Sequence, residues 1–85
     1  MKPAVWNFDK NEWLKKKRNI TFELLIGSRF IGIEKHPSRF YQQLMLFEYQ
    51  RYVWVVPYVD NGEAYFLKTA FPSRKYTKKY LKKGG

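Results

Sequence analysis

The sequence contains no cysteine and only one histidine. The lack of cysteine excludes disulfides and thiolate metal sites. Because small secreted domains often depend on disulfides, a reducing cytoplasm is the compartment we expect. A single histidine also excludes a two-histidine acid–base pair within one chain. The motifs HExxH, CxxC and GxSxG and a glycine-rich phosphate loop are absent as well, so familiar enzyme classes gain no support.

Long apolar segments are missing too. The longest apolar run, Tyr52 to Val56, is far too short to cross a bilayer. Residues 1–7 lack the apolar stretch of a signal peptide, so neither a membrane anchor nor secretion is expected. The length of 85 residues predicts one domain spanning residues 1–85, with a frayed end at Gly84 and Gly85.

Acidic residues are scarce, with 7 Asp and Glu against 17 Lys and Arg and a formal net charge of +10. Such an excess destabilises a compact chain by self-repulsion, and its common use is attraction to polyphosphates or anionic membranes. Aromatic residues make up 20% of the chain, which provides large rings for a core. Charge and aromatic content together predict a nucleic-acid partner, most of all RNA.

The N-terminal half predicts a short strand and two helices. Residues 5–8 alternate like a strand, and Asp9 then resembles an N-cap with Glu12 as its capping-box partner. The helix that follows is expected to place Trp13 and Leu14 inward. Thr21 predicts the cap of a second helix over residues 22–26, which Gly27 ends.

The rest of the chain predicts a sheet and a final helix. Strands are expected over 29–35, 43–49, 52–59 and 64–70, and Pro57 places the third of them at an edge or a bulge. Asp60-Asn61-Gly62 indicates a tight turn, and Ser73 caps the last helix. The predicted fold is therefore α+β, with two N-terminal helices, a three- to four-stranded antiparallel sheet and a C-terminal helix.

The first candidate site combines a lysine near a strand end with a helix start. Lys68 lies near the end of the last predicted strand, and Ser73, Arg74 and Lys75 begin the last helix. Free amides at a helix start bind phosphate, and an arginine adds a planar bidentate donor. The alternative is that Ser73 is only a cap and the cations are solvated.

The second candidate is the loop that carries His36 and Arg39. Pro37 disfavours helical geometry at His36, and a loop with His, Arg and Tyr suits acid–base chemistry near phosphate. The alternative is a surface loop in which His36 hydrogen-bonds to a backbone carbonyl.

The third candidate is a basic face of the last helix. Lys75, Lys78, Lys79 and Lys82 follow helical spacing, and no Asp or Glu occurs after Glu63. This pattern favours a surface that binds the phosphates of a nucleic-acid backbone over a helix face that is merely solvated. Base stacking is a further option for several strand and loop aromatics, although most such rings belong to cores: Tyr41, Tyr49, Tyr52, Trp54 and Tyr58.

Three further segments of the chain form a recognisable set: Trp6 to Asn11, Lys17 to Phe22, and Phe71 to Lys75 together with Tyr80. Together they resemble the BrnT-type toxins of the RelE-like group of bacterial ribonuclease toxins. Residues 55–59 and 66–69 depart from that pattern and indicate a divergent branch. The resemblance implies a RelE-like sheet flanked by helices and mRNA cleavage without metal or cofactor. It also implies a hetero-oligomer with a cognate antitoxin, commonly a small DNA-binding protein.

The leading hypothesis from the sequence is thus a cytoplasmic endoribonuclease toxin in which the ribose 2′-OH attacks the adjacent phosphate. Lys68 and Arg74 stabilise the developing negative charge, and His36 or Tyr80 moves the proton. The residues expected to bind RNA are Arg39, Ser73, Lys75, Lys78, Lys79 and Lys82. Two alternatives stay open: a non-catalytic module that binds RNA or DNA, and an adaptor for an acidic protein.

Overall fold

The computed structural model describes residues 2–81. Its helices are α1 (Phe8–Arg18), α2 (Phe22–Ile26) and α3 (Arg74–Tyr80). Its strands are β1 (Ala4–Trp6), β2 (Arg29–Lys35), β3 (Gln43–Tyr49), β4 (Tyr52–Asp60), β5 (Tyr65–Leu67) and β6 (Phe71–Pro72). The α+β class predicted from the sequence is confirmed. No helix in this part of the chain combines the length and the apolar character needed to cross a membrane.

The strands form one mixed sheet in the order β1-β5-β4-β3-β2, with β6 also paired to β4. The β1 strand runs parallel to β5, whereas the other pairs are antiparallel. The prediction of a purely antiparallel sheet with three to four strands was therefore wrong. Pairing of β1 with β5 joins segments from opposite ends of the chain, and local sequence patterns do not reveal such a contact.

Helices cover both faces of the sheet. On one face Leu14 of α1 and Phe22 of α2 pack against Phe47, Val56 and other strand residues. On the other face, the aromatic side of α3 packs on apolar residues of β3 and β4; these residues are Leu44, Leu46, Val53 and Val55, under Tyr76, Tyr80 and Leu81. Side chains of a strand alternate between faces, so β3 and β4 supply both cores.

The first helix has a different N-cap from the predicted Asp9 and begins at Phe8. Asn7 is the N-cap, and its Oδ1 accepts a hydrogen bond from the Lys10 N–H at 3.0 Å. Strand β1 accordingly ends at Trp6, and Phe8 is helical. Asn and Asp cap helices about equally well, so the motif around Asp9 could not decide the start. Trp13 is 38% exposed rather than inward.

The junction between α1 and α2 lies in the segment from Lys17 to Phe22, one of the three segments on which the family resemblance is based. Asn19 ends α1 in the left-handed conformation with φ of 55°, which Asn tolerates better than most residues. The chain then turns back and buries Ile20 and Phe22. Thr21 caps α2 through its side chain, as predicted.

Pro57 lies in the interior strand β4, not at an edge or a bulge. The Lys68 N–H donates to the Pro57 carbonyl at 2.8 Å. Because the N–H and C=O positions of one strand residue point to the same side, the missing donor of Pro57 faces residues 68–70 and not β3. These residues form the gap between β5 and β6, so the predicted strand over 64–70 is interrupted.

The predicted turn at residues 60–62 and the predicted cap of α3 agree with the structure. Asp60 and Asn61 side chains accept backbone N–H groups in the turn before β5, where Gly62 has φ of 93°. Ser73 is the N-cap of α3, and its Oγ accepts from the Tyr76 N–H at 3.1 Å. Gly84 and Gly85, predicted to fray, lie outside the described residues.

Candidate nucleic-acid interface

The outward side of α3 is basic. Arg74, Lys75, Lys78 and Lys79 are all exposed, whereas Tyr76, Thr77 and Tyr80 are half-buried against the sheet. We call these four cations the α3 basic face. The predicted spacing of Lys75, Lys78 and Lys79 thus places them on one side of the helix. Lys82, the fourth predicted member of that row, lies outside the described residues.

Thr77 fixes α3 to the sheet. Its Oγ1 accepts a hydrogen bond from the Val53 N–H at 2.9 Å and donates to the Ser73 carbonyl at 2.6 Å. The Ser73 N–H donates to the Val53 carbonyl at 2.9 Å. One residue of β4 therefore bonds to the first turn of α3 through both of its backbone groups. This role could not be predicted from the sequence, because a threonine inside a helix is usually only a poor helix former.

Glu34 of β2 binds the end of α3. Its Oε2 accepts from the Tyr80 hydroxyl and from Lys79 Nζ, the latter at 3.0 Å. Hydrogen bonds from Tyr80 and Lys79 lower the pKa of Glu34. The same bonds raise the pKa of Tyr80 and of Lys79. Tyr80 therefore keeps its proton at neutral pH, which suits a proton donor better than a base.

A concavity of about 430 Å³ lies at this end of α3. It is lined by Arg29, Glu48, Arg51, Tyr80 and Leu81. Arg29 Nε bonds to Glu48 Oε1 at 2.7 Å, so Arg29 is partly neutralised. Arg51 belongs to the turn between β3 and β4, where Gln50 and Arg51 have φ of 53° and 64°. Sequence reasoning overlooked both arginines, because neither lies in a motif.

Lys68 and Arg74 emerge from the same side of β4. The Lys68 N–H bonds to Pro57, and the residue before Arg74 bonds to Val53. These attachment points are four residue steps apart along β4, or about 13 Å. Both side chains are exposed, and Lys68 Nζ lies 5.0 Å from the centre of the Phe66 ring. Both cationic side chains therefore lie along the same side of β4, where one extended strand of nucleic acid can contact the two of them.

His36 lies in the loop at the other end of β2. Its Nδ1 accepts the N–H groups of Ser38 and Arg39 at 3.1 and 3.0 Å. The sequence left a bond from His36 to a backbone carbonyl as an alternative, but the imidazole accepts two backbone N–H groups instead. This arrangement places the imidazole proton on Nε2, which is then available as a donor. Arg39 itself is exposed in this loop.

The four predicted catalytic residues do not form one cluster through direct contacts. No hydrogen bond within residues 2–81 joins any two of Lys68, Arg74, His36 and Tyr80. Tyr80 bonds to Glu34, which precedes His36 by two residues, so Tyr80 lies near the end of β2 from which the His36 loop starts. Ser73, predicted to bind RNA, uses its Oγ to cap α3.

Ion pairs neutralise little of the positive charge. Over residues 2–81 the ion pairs are Lys2–Asp60, Arg29–Glu48 and Lys79–Glu34. Arg74, Lys75 and Lys78 of the α3 basic face have no such partner in that range. The same residues contain no group of three His, Cys, Asp or Glu side chains arranged to hold a metal ion.

Comparisons of the chain with protein-family models, with curated proteins and with solved structures found no match.

Proposed function

We propose that this protein binds RNA through the α3 basic face and cleaves it as an endoribonuclease. The observation that carries the proposal is the group of neighbouring exposed cations Arg74, Lys75 and Lys78, which lack acidic partners among residues 2–81. Crowding such charges destabilises a fold unless a polyanion binds them. Lys68 adds another exposed cation on the same side of β4 as Arg74, so a nucleic-acid strand that binds the α3 basic face can also contact Lys68.

The cleavage step that fits these residues is a transesterification. The 2′-oxygen forms a bond to phosphorus and the bond to the 5′-oxygen breaks, which leaves a 2′,3′-cyclic phosphate. The proton of the 2′-OH passes to the Glu34 carboxylate, and Tyr80 gives its hydroxyl proton to the leaving 5′-oxygen. Glu34 then returns a proton to Tyr80, while the His36 Nε2–H donates a hydrogen bond to the phosphate. Arg74 and Lys68 stabilise the negative charge that develops on the phosphate.

The decisive assay is cleavage of single-stranded RNA in EDTA by the purified chain, with analysis of the product ends. The expected products carry 2′,3′-cyclic or 3′-phosphates. Arg74→Lys keeps the charge but removes the bidentate fork, so activity should fall while the fold is kept. Cleavage that requires a divalent cation, or an Arg74→Ala variant with full activity, would refute this mechanism.

A second candidate function is RNA or DNA binding without catalysis. The observation that favours it is the separation of Lys68, Arg74, His36 and Tyr80, which make no direct hydrogen bonds to one another. This function predicts retention on RNA with a strong salt dependence and no cleavage products.

The finer proposal is that the chain is the toxin of a cytoplasmic, RelE-like toxin–antitoxin pair, as the segments around Trp6, Asn19 and Arg74 suggest. It predicts growth arrest when the chain is expressed alone in bacteria, with relief by a co-expressed antitoxin. Unchanged growth at high soluble expression would contradict this role.

A further inference from the structure

We propose that the loop between β2 and β3 holds one unpaired nucleobase of the RNA. This inference rests on the proposed RNA binding. The α3 basic face would bind the phosphates of the RNA, and the loop would bind one of its bases. The feature behind it is a concavity of about 320 Å³ lined by Lys35, His36, Pro37, Ser38, Phe40, Gln42 and Gln43. Its volume is at the lower end of the range for small-molecule sites.

The loop presents aromatic rings to solvent. Phe40 is 97% exposed and Tyr41 is 57% exposed, and their ring centroids are 5.7 Å apart in an edge-on arrangement. Exposure of nearly a whole phenylalanine leaves its apolar surface in water, a cost that a stacked base removes. Aromatic rings of this kind bind the bases of single strands by stacking.

Gln42 supplies polar side-chain groups that have no hydrogen-bond partner among residues 2–81. The residue is only 5% exposed, and no hydrogen bond from residues 2–81 reaches its side-chain amide. No fully enclosed side-chain oxygen or nitrogen in this part of the chain lacks a partner. The Gln42 amide atoms therefore keep some contact with solvent, and Gln42 is one of the residues that line the concavity. An amide offers a donor and an acceptor side by side, which matches the edge of a base.

Charge complementarity favours a nucleotide over an apolar peptide. Lys35 and Arg39 flank the rings and are exposed, and neither forms an ion pair within the described range. These cations can contact the phosphates on either side of a stacked base. The site also adjoins His36, so a base held here brings its own phosphodiester next to the His36 Nε2–H.

The test measures binding separately from cleavage. Fluorescently labelled 2′-O-methyl oligonucleotides lack the attacking hydroxyl, so their affinity can be measured by anisotropy without turnover. Homopolymers of A, C, G and U are compared with a fully paired duplex. Phe40→Ala should weaken single-strand binding about tenfold to a hundredfold and leave the salt dependence unchanged, because no charge is removed.

Matched variants separate stacking from general apolar loss. Phe8 is 72% exposed on α1, so Phe8→Ala removes a similar ring elsewhere and should change affinity less than twofold. Gln42→Leu should reduce the differences between the homopolymers, with retained circular dichroism as the check on folding. Duplex affinity should be the same for wild type and Phe40→Ala, since paired bases cannot enter the loop.

The outcomes distinguish this site from the proposed function. Equal single-strand affinity of Phe40→Ala and wild type overturns the nucleobase site while RNA cleavage stands. Single-strand binding lost in Phe40→Ala, in a protein that never cleaves RNA, supports the site and refutes the nuclease. Self-association that depends on Phe40, measured by sedimentation with RNA affinity unchanged, also overturns the site, because the occupant is then a second copy of the chain.

Discussion

Asn11 offers the sharpest test of how the two N-terminal helices hold together. It is 7% exposed, its Oδ1 accepts the Phe22 N–H at 2.8 Å, and its Nδ2 donates to Glu23 Oε1 at 2.7 Å. Asn11→Leu keeps the approximate volume but leaves the buried Phe22 N–H without a partner, which costs about 1–3 kcal/mol. Glu23 is exposed and regains water, so its lost bond adds little.

The variant Asn11→Asp keeps an oxygen that can accept the Phe22 N–H but replaces the bond to Glu23 by a contact whose energy depends on pH. The hydrogen bond from Asn11 is the largest cause that lowers the pKa of Glu23. Wild type therefore has this stabilisation above the unfolded value of 4.5 and loses it as the pH falls through the lower folded value. In Asn11→Asp two carboxylates face each other, so their repulsion is present at neutral pH and disappears on protonation. The stability gap to wild type should be widest near neutrality and should narrow in acid.

The assay is urea unfolding followed by tryptophan fluorescence at neutral and acidic pH. A loss of 1 kcal/mol corresponds to a Tm lowered by about 4–8 °C in a domain of this size. Lys16→Leu on the exposed side of α1 is the matched control and should stay within about 0.5 kcal/mol of wild type. The reasoning is refuted if Asn11→Leu unfolds like that control, or if the gap of Asn11→Asp is independent of pH.

Three further changes test the sheet and α3. Thr77→Val leaves the Val53 N–H unpaired and should cost about 1–3 kcal/mol in urea unfolding, whereas Thr77→Ser should retain most of the stability; equal stability of the two variants would contradict the role of the hydroxyl. Arg51→Gly relieves a left-handed φ and should raise stability by up to about 1 kcal/mol, seen as a higher Tm; a lower Tm would mean that the turn is not strained. Glu34→Gln should lower the pKa of Tyr80 toward the ordinary tyrosine value, since the bond to Glu34 raises it. Ring-labelled NMR titration measures this change, and an identical midpoint in both proteins would argue against that bond.

Features set by neighbouring residues could be predicted well. The caps Thr21 and Ser73, the turn at Asp60 and the two long strands β3 and β4 follow from local chemistry that acts within a few residues. The basic side of α3 was predictable for the same reason, because helical spacing alone places Lys75, Lys78 and Lys79 together. Where two neighbouring residues could cap a helix equally well, as Asn7 and Asp9 could, local chemistry did not decide.

Long-range contacts decided the rest. The sequence by itself determined a basic, aromatic-rich α+β chain with cations along its last helix. The tertiary structure alone decided that β1 pairs with β5, that Pro57 fits inside the sheet, and that Glu34 takes up Lys79 and Tyr80 while Arg74 and Lys78 stay exposed. These outcomes depend on hydrogen bonds between groups far apart in the chain, and such pairings leave no local pattern from which they can be read.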